Sequence, residues 1–148
     1  MENDIRTKCI MKFYEIYPLS RKIVFDTFDR KKYHLTRTQQ IIILSLSVSK
    51  TLTMSHLAAR INTSNEQATR AVSQLVDMGF VVREHDRENR RLVNISLTDK
   101  AEGLLKQMKS DIHDELIKRF KEVSDDDMDK LYEALQQVSE ILKKVADE

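Results

Sequence analysis

The sequence has 148 residues, 41% of them hydrophobic, and a formal net charge of +1. This length is typical of a single domain, predicted here over residues 1–148, with enough apolar content for a buried core. The longest apolar run, residues 41–44, is far too short to cross a bilayer, and we expect no secretory signal. A single cysteine excludes an intramolecular disulfide framework. We therefore expect a cytoplasmic chain that neither spans a membrane nor depends on disulfides.

Charge is distributed unevenly along the chain. Residues 1–100 contain 17 Lys and Arg against 11 Asp and Glu, a surplus of 6 positive charges. Residues 101–148 contain 8 against 13, a deficit of 5. The net charge of +1 does not by itself indicate a nucleic-acid partner, but this asymmetry is typical of a protein that binds DNA through one face.

The N-terminal third is predicted to be helical. Apolar residues recur at helical spacing over about residues 3–17, and Pro18 should break or kink this helix because proline lacks a backbone donor. A second apolar run covers about residues 19–30. A further helix should begin at Thr36, because Thr36 and Gln39 have the spacing of a capping box.

Residues 53–79 contain the pattern of a helix-turn-helix. The first helix has one apolar stripe, formed by Met54, Leu57, Ala58 and Ile61. After a polar turn at residues 62–63, Ser64 is a good N-cap, and Gln67 completes a capping-box signature. Gly79 should end the second helix, because a left-handed residue is favoured there and glycine adopts it without steric cost. The outward face of the second helix carries hydrogen-bonding side chains of the kinds that contact bases and phosphates.

A basic hairpin follows the second helix. Alternation over residues 93–97 predicts a strand with one face on the core, paired with residues 80–84. The connecting loop, residues 85–91, has no large apolar residue and contains three arginines, and Asp86 is expected to pair with one of them and hold the loop. A charged loop alone is more often a solvated turn, but directly after a capped helix pair it indicates a wing.

The C-terminal third is predicted to form two helices. A long helix should begin at Thr98, and Ser124 should cap the last helix, whose first turn holds three aspartates that suit the helix dipole. The last helix carries a seam with steps of three and four residues, formed by Met128, Leu131, Leu135, Val138, Leu142 and Val145. Such a seam packs against another helix, in the same chain or in a second copy.

The chain resembles the MarR family of transcription regulators. Three segments carry the resemblance. They are the wing sequence (residues 86–93), the end of the following strand with the start of the next helix (residues 96–100), and the start of an earlier helix (residues 35–40). It implies a mainly α fold with a small β-hairpin wing. In that fold a winged helix-turn-helix over residues 36–98 is flanked by dimerisation helices in residues 1–32 and 99–148.

The resemblance also implies that the chain binds double-stranded DNA, with the second helix in the major groove and the wing at the adjacent minor groove. Candidate DNA-contacting residues in the recognition helix are Ser64, Asn65, Gln67, Thr69, Arg70 and Ser73. Candidates in the wing are Arg87, Arg90 and Arg91. Arg70 is the strongest candidate, because arginine presents two parallel donors to guanine.

In the resembled family, the terminal helices of two subunits interleave to form a homodimer. A two-fold dimer would match a pseudo-palindromic operator with half-sites about 34 Å apart. The candidate interface residues are Ile5, Phe13, Leu131, Leu135, Val138, Leu142 and Val145. By analogy with the family, we expect a repressor.

Many members of the resembled family are repressors released by a small ligand, often a phenolic acid. Aromatic residues that could line such a site are Phe13, Tyr14, Tyr17, Phe25, Phe28 and Tyr33, although for each of them a place in the core or the interface is favoured. One branch of the family senses peroxides through a cysteine in the first helix. Cys9 lies about one turn before the place of that cysteine, where Lys12 stands, so a packing role for Cys9 is favoured over peroxide sensing.

Enzymatic functions have little support in the sequence. The four histidines lack metal-ligand spacing, two glycines supply neither common phosphate-binding loop, and no nucleophile motif is present. We therefore expect no catalytic residue, no metal site and no cofactor. The remaining alternative is a winged helix that binds a protein instead of DNA, and the wing arginines favour DNA.

Overall fold

A computed structural model describes residues 4–146. The chain divides into two compact units, Met1–His113 and Asp114–Glu148. The helices and strands, in chain order, are α1 (Ile5–Phe25), α2 (Arg30–Tyr33), α3 (Arg37–Val48), β1 (Thr51–Thr53), α4 (Met54–Arg60), α5 (Asn65–Asp77), β2 (Val81–His85), β3 (Val93–Leu97), α6 (Asp99–Arg119) and α7 (Asp125–Leu142).

The predicted fold class is confirmed, with a sheet of three strands where the sequence indicated two. The antiparallel strand order is β1-β3-β2, so β3 is central, and Ile95 lies opposite Leu52 on one side and Arg83 on the other. β1 was missed because three residues are too few to display an alternating pattern. Its last residue, Thr53, also caps α4 by accepting a hydrogen bond from the His56 backbone N–H.

The core of the first unit lies between α3, α4, α5, α6 and the sheet. The apolar run of α3 predicts burial on most sides, and α3 buries five residues, two of which are glutamines. From α6, Leu105 and Met108 reach the same core. The largest fully buried side chains are Leu35, Ile42, Ile43, Leu46, Leu57, Leu75, Ile95, Met108, Gln40, Val72 and Val81. This packing places α5 with one face on the core and the other in solvent.

The N-terminal helix differs from the prediction. α1 continues through Pro18 to Phe25, so the separate run predicted over residues 19–30 is wrong. Proline removes a single backbone hydrogen bond, and α1 buries none of its residues, so solvent can satisfy the carbonyl left open. The chain then turns, and Asp29 caps the short α2 by accepting the backbone N–H groups of Lys31 and Lys32.

Several predicted helix ends are confirmed. Thr36 and Gln39 form a complete capping box at the start of α3. Gly79 has a φ of +80°, and the Phe80 N–H reaches the Leu75 carbonyl at 2.9 Å, which is the Schellman pattern. Ser124 caps α7 by accepting the Asp127 N–H at 3.1 Å.

The second unit contains α7 with its apolar seam. α7 buries no residue, and its seam residues Leu131, Leu135, Val138 and Leu142 are exposed by 37%, 57%, 43% and 38%. Val145 was predicted to extend the seam, but α7 ends at Leu142 and Val145 lies in the turn after it.

Candidate nucleic-acid interface

The recognition helix α5 separates its apolar and polar side chains sharply. Its buried residues are Ala68, Ala71, Val72 and Leu75. Ala71 adds to the face predicted from the sequence. The exposed residues on its first turns are Asn65, Glu66, Gln67, Thr69 and Arg70. The buried face fixes α5 to the core, and the polar face is left for a partner.

The turn before α5 is held by local hydrogen bonds. Asn62 adopts a left-handed φ of +54°, and Ser64 caps the helix by accepting the Gln67 backbone N–H at 3.2 Å. The predicted capping box is only half present, because the Gln67 side chain accepts from the Thr63 hydroxyl at 2.5 Å instead of returning to Ser64. The side-chain amide N–H₂ of Gln67 remains directed away from this bond and can donate to a base.

Arg70 forms one weak, exposed ion pair, with Glu66. Its guanidinium lies 3.3 Å from the Glu66 carboxylate, one helical turn earlier, and both side chains are mostly exposed. An exposed pair of this kind contributes little stability, so Arg70 can exchange Glu66 for a phosphate or a guanine at small cost. The neighbouring Thr69 donates its hydroxyl hydrogen to the Asn65 carbonyl at 2.7 Å.

The base of the wing contacts the recognition helix through Arg83, a residue that the local sequence pattern does not single out. Arg83 on β2 donates to the Ser73 hydroxyl at 3.0 Å, and Ser73 is half-buried by its surroundings. Nothing in the local sequence distinguishes Arg83 from other exposed strand residues, because its partner lies ten residues away. Arg83 therefore adds a positive charge between the helix and the wing tip.

The wing tip is organised by Asp86, although not through an arginine as predicted. Its Oδ1 accepts the backbone N–H groups of Glu88 and Asn89 at 2.9 and 3.1 Å, and its Oδ2 accepts the Asn94 side-chain amide at 3.0 Å. The bond from Asn94 and the two backbone bonds hold the pKa of the Asp86 carboxyl below its usual range. Asp86 accepts these backbone N–H groups because they lie only two and three residues further along the chain, whereas an arginine side chain is long and solvated.

The three wing arginines are exposed. Within residues 4–146, the guanidiniums of Arg87, Arg90 and Arg91 have no ion-pair partner. The loop carbonyl of Arg90 instead contacts the His85 ring at 2.9 Å. The wing thus presents three unneutralised positive charges on a loop whose backbone is hydrogen-bonded.

Two adjoining cavities lie at the end of α1. One, of about 280 Å³, is lined by Arg21, Phe25, Arg37, Thr38, Ile41, Ile61, Asn62 and Thr63. The other, of about 390 Å³, is lined by Tyr17, Pro18, Arg21, Lys22, Phe25, Asp26 and Arg37. The guanidinium carbons of Arg21 and Arg37 lie 4.9 and 5.8 Å from the centre of the Phe25 ring. Two guanidinium groups therefore lie close to the Phe25 ring, and all three side chains line both cavities.

The remaining candidates divide between exposed and buried positions. Cys9 is exposed on α1, which corrects the favoured packing role, because α1 buries no residue. Of the aromatic residues, Phe28 is buried and Tyr33 packs against the core, as favoured. Phe13, Tyr14 and Tyr17 are exposed in the single chain and do not fill its core, so the dimer interface, the other place favoured for them, stays a prediction. Ile5 and Phe13, predicted for that interface, are exposed by 66% and 48%.

The described part of the chain holds no group of three or more potential metal ligands. Among the helices that the structure describes, none is both long enough and apolar enough to pass through a membrane.

Comparisons with known proteins agree with this geometry. The MarR family profile matches residues 35–93. The chain is 26% identical over 139 residues to an uncharacterized HTH-type transcriptional regulator, YfiV, of Bacillus subtilis, which covers 90% of this chain and 87% of the relative. It is 25% identical over 124 residues to the HTH-type transcriptional regulator SarZ of Staphylococcus haemolyticus, with 83% of each chain covered. The solved structure of the transcriptional regulator BldR from Sulfolobus solfataricus matches with a TM-score of 0.71 at 22% identity, covering 97% of this chain and 99% of that one.

The fold and the polar face of α5 define a winged helix-turn-helix protein. Residues 35–93 match the MarR family model, and the curated relatives that the chain resembles are HTH-type transcriptional regulators. Regulators of this family bind DNA, act as dimers and are not enzymes.

Proposed function

We propose that the chain is a homodimeric repressor that binds a pseudo-palindromic DNA operator and is released by a small ligand. One observation supports DNA as the partner above all others. The exposed face of α5 consists of hydrogen-bonding side chains, and the nearby wing carries three arginines without ion-pair partners in the described chain. The side chains of Asn65, Gln67, Thr69 and Arg70 are exposed and do not pack in the core, whereas phosphates and base edges suit them. The proposal includes action in the cytoplasm without catalysis.

The proposed roles follow from the geometry of each group. Arg70 and Gln67 present donors from the middle of the exposed face and would contact base edges in the major groove. Ser64 and Asn65 lie at the helix start and Thr69 lies between Gln67 and Arg70, and these three residues would bind phosphate or base edges. Ser73 would act with Arg83 at the wing base. Arg87, Arg90 and Arg91 would enter or flank the minor groove, with Asp86 holding the loop.

The experiment begins with selection of bound duplexes from a random pool, followed by fluorescence anisotropy on the selected and a scrambled duplex. Arg70→Ala should change the preferred sequence. Arg90→Ala should weaken binding to both duplexes similarly and reduce the slope of log affinity against log salt by about 1.

Lys109→Ala is the matched control, because it removes one exposed positive charge from α6, outside the proposed surface. It should leave the sequence preference and nearly all of the affinity intact. Equal losses on both duplexes for Arg70→Ala would contradict base reading by Arg70. An effect of Lys109→Ala as large as that of Arg90→Ala would contradict the wing contact.

The homodimer is proposed from the exposed apolar residues of two helices. α1 exposes Ile5, Phe13 and Ile16, and α7 exposes Leu131, Leu135 and Val138. Neither helix buries a residue in the single chain. Apolar side chains at this density on two helices are typical of a subunit interface. A two-fold dimer would present two copies of α5 to half-sites about 34 Å apart, which explains why a pseudo-palindromic operator is proposed.

The releasing ligand is proposed to be a small aromatic acid bound in the cavity of Arg21, Phe25 and Arg37. The two guanidiniums would pair with a carboxylate, and Phe25, Ile41 and Ile61 would contact an aromatic ring. The cavity also reaches residues 62–63, the turn that precedes α5. A ligand bound there would contact this turn and would thereby change the position of α5 relative to the DNA.

Salicylate is a suitable probe, with benzyl alcohol as the uncharged comparison. Isothermal titration should show salicylate binding that is lost in Arg37→Gln and retained in Arg30→Gln, an exposed arginine that does not line either cavity. Salicylate should also lower the affinity for the selected duplex. Equal binding by wild type and Arg37→Gln would contradict this location for the ligand.

A further inference from the structure

A buried glutamine joins the start of α3 to the recognition helix. Gln39 is 3% exposed and lies in the first turn of α3. Its side-chain oxygen accepts the Thr36 backbone N–H at 3.0 Å, and its side-chain nitrogen donates to the Oε1 of Gln74 at 2.6 Å. Gln74 lies on α5, 35 residues further along the chain. Both ends of one amide are thus occupied, one by a cap and the other by the recognition helix.

The bond to Gln74 is unlike the other contacts between these helices. In the part of the chain that the structure describes, it is the one side-chain hydrogen bond between α3 and α5. The remaining contact is apolar, involving residues such as Ile43, Val72 and Leu75 in the shared core. Apolar packing is non-directional, so it holds α5 on the core but specifies its rotation and sliding less narrowly than a hydrogen bond does.

We propose that Gln39 is a positioning residue for DNA recognition, which fixes the orientation of α5 through Gln74. The inference rests on the proposed DNA binding by α5. Base-edge contacts need donors and acceptors placed within hydrogen-bonding distance, so a small rotation of α5 would misalign Arg70 and Gln67 together. Gln39 is buried, and it acts on the groove only through Gln74.

The neighbouring glutamine is a matched control. Gln40 is 1% exposed and also uses its amide nitrogen, but it donates to the Leu35 carbonyl at 3.2 Å and the Asp29 carbonyl at 3.4 Å. These acceptors precede α3, and neither belongs to α5. Gln39→Met and Gln40→Met therefore remove the same group from adjacent buried positions, and only the first removes a bond to the recognition helix.

The capping function of Gln39 requires a separate control. Thr36→Ala removes the half of the capping box in which the Thr36 hydroxyl accepts the Gln39 backbone N–H, and it leaves both partners of the Gln39–Gln74 bond in place. Loss of a cap lowers stability. If capping alone explained an effect of Gln39→Met, Thr36→Ala would reproduce it.

The main experiment measures affinity for the selected and the scrambled duplex by anisotropy, at a temperature where thermal unfolding shows every variant folded. Gln39→Met should lower the affinity for the selected duplex by about tenfold, the loss of one well-aligned base contact, and leave scrambled binding nearly unchanged. Gln40→Met and Thr36→Ala should lower the melting temperature but preserve the ratio of the two affinities. An unchanged ratio in Gln39→Met, or an equal change in either control, would overturn the proposal.

A double-mutant cycle separates positioning from direct base contact by Gln74, whose side chain is exposed. If the bond acts as a unit, Gln74→Met should reproduce the loss in Gln39→Met, and the double variant should lose no more than either single variant. If Gln74 itself contacts a base, Gln74→Met alone would lower the ratio and Gln39→Met would not. That second outcome overturns the proposal.

A measurement without DNA keeps this inference apart from the proposed function. Amide hydrogen exchange along α5 should be faster in Gln39→Met than in Gln40→Met or wild type, because α5 has lost its directional tether. Absence of any sequence preference in wild type would refute the proposed function, and the exchange result would then still decide the α3–α5 coupling. Equal exchange along α5 in the two glutamine variants would overturn that coupling.

Discussion

The winged part and the terminal helices of this chain use their apolar residues differently. α3 buries five residues and α5 buries four, whereas α1 and α7 bury none. The winged part can therefore fold on contacts made within one chain. The apolar residues of α1 and α7 face solvent in a single copy, and each large side chain withdrawn from water would contribute about 1.5–3 kcal/mol. The contrast is the one that the proposed dimer requires, with folding contacts in the winged part and apolar residues for association on α1 and α7.

The largest expected effect compares equivalent leucines in the two regions. Leu75→Ala in α5 should lower the free energy of unfolding by about 2–5 kcal/mol, because the side chain is fully buried. Leu135→Ala in α7 should destabilise the protein only where the dimer forms. Urea unfolding over a series of protein concentrations measures both. A loss in Leu135→Ala that persists at high dilution would contradict the contrast.

A charge placed on the seam of α7 should separate the subunits. Leu135→Glu should convert the dimer to a monomer in sedimentation velocity, because an interface core tolerates an unpaired carboxylate poorly. Gln137→Glu adds the same charge to the other face of α7 and should leave the dimer intact. The winged part should remain folded in both variants, as judged by its hydrogen exchange. If both variants dissociate, or if neither does, the seam of α7 is not the dimer interface.

Replacing each of the two glycines of the first unit by alanine should change the free energy of unfolding in opposite directions. Gly79 has φ +80°, and an added Cβ would meet Lys100 at an ordinary 3.5 Å, so the cost of Gly79→Ala is conformational and about 1–2 kcal/mol. Gly103 lies within α6 with open space around it, so Gly103→Ala should stabilise by about 0.5–1 kcal/mol. Thermal unfolding of the two variants tests this. A stabilising Gly79→Ala would contradict the left-handed helix end.

The smallest expected effect concerns the wing tip. The pKa of the Asp86 carboxyl is lowered, so the carboxylate stabilises the ordered loop at pH values above its unfolded-state pKa. This contribution is lost as the pH falls through the lower folded-state pKa. Asp86→Ala at neutral pH should speed amide exchange at Glu88 and Asn89 with little change in global unfolding. Glu88→Gln removes an equal charge without removing those bonds and should leave the exchange unchanged. Unaltered exchange in Asp86→Ala would show that Asp86 does not hold the wing.

Local patterns in the sequence predicted most of the winged part. The capping box of Thr36, the N-cap at Ser64 and the left-handed Gly79 each depend on residues within a few positions, and all three are confirmed. Features that depend on distant residues were missed or mistaken. The Gln39–Gln74 and Ser73–Arg83 bonds and the strand β1 need the folded core to bring their partners together.

Pro18 and Asp86 illustrate a different limit. A proline inside a helix has a general cost, but whether the helix ends depends on the solvent around the open carbonyl, which the sequence does not encode locally. Asp86 was assigned an arginine partner by charge, and backbone donors took its place. The single-domain organisation, the DNA-contacting residues and the interface residues stay predictions.

The most direct test of the central claim is anisotropy with DNA from immediately upstream of the chain's own gene and with a scrambled duplex, across a salt series. We expect tighter binding to one duplex, found upstream or by selection, at two subunits per site. The affinity should fall steeply with salt, because arginines replace counterions on phosphates. Weak binding that shows no preference for any upstream or selected duplex, and that barely changes with salt, would contradict DNA recognition and favour a winged helix that binds protein.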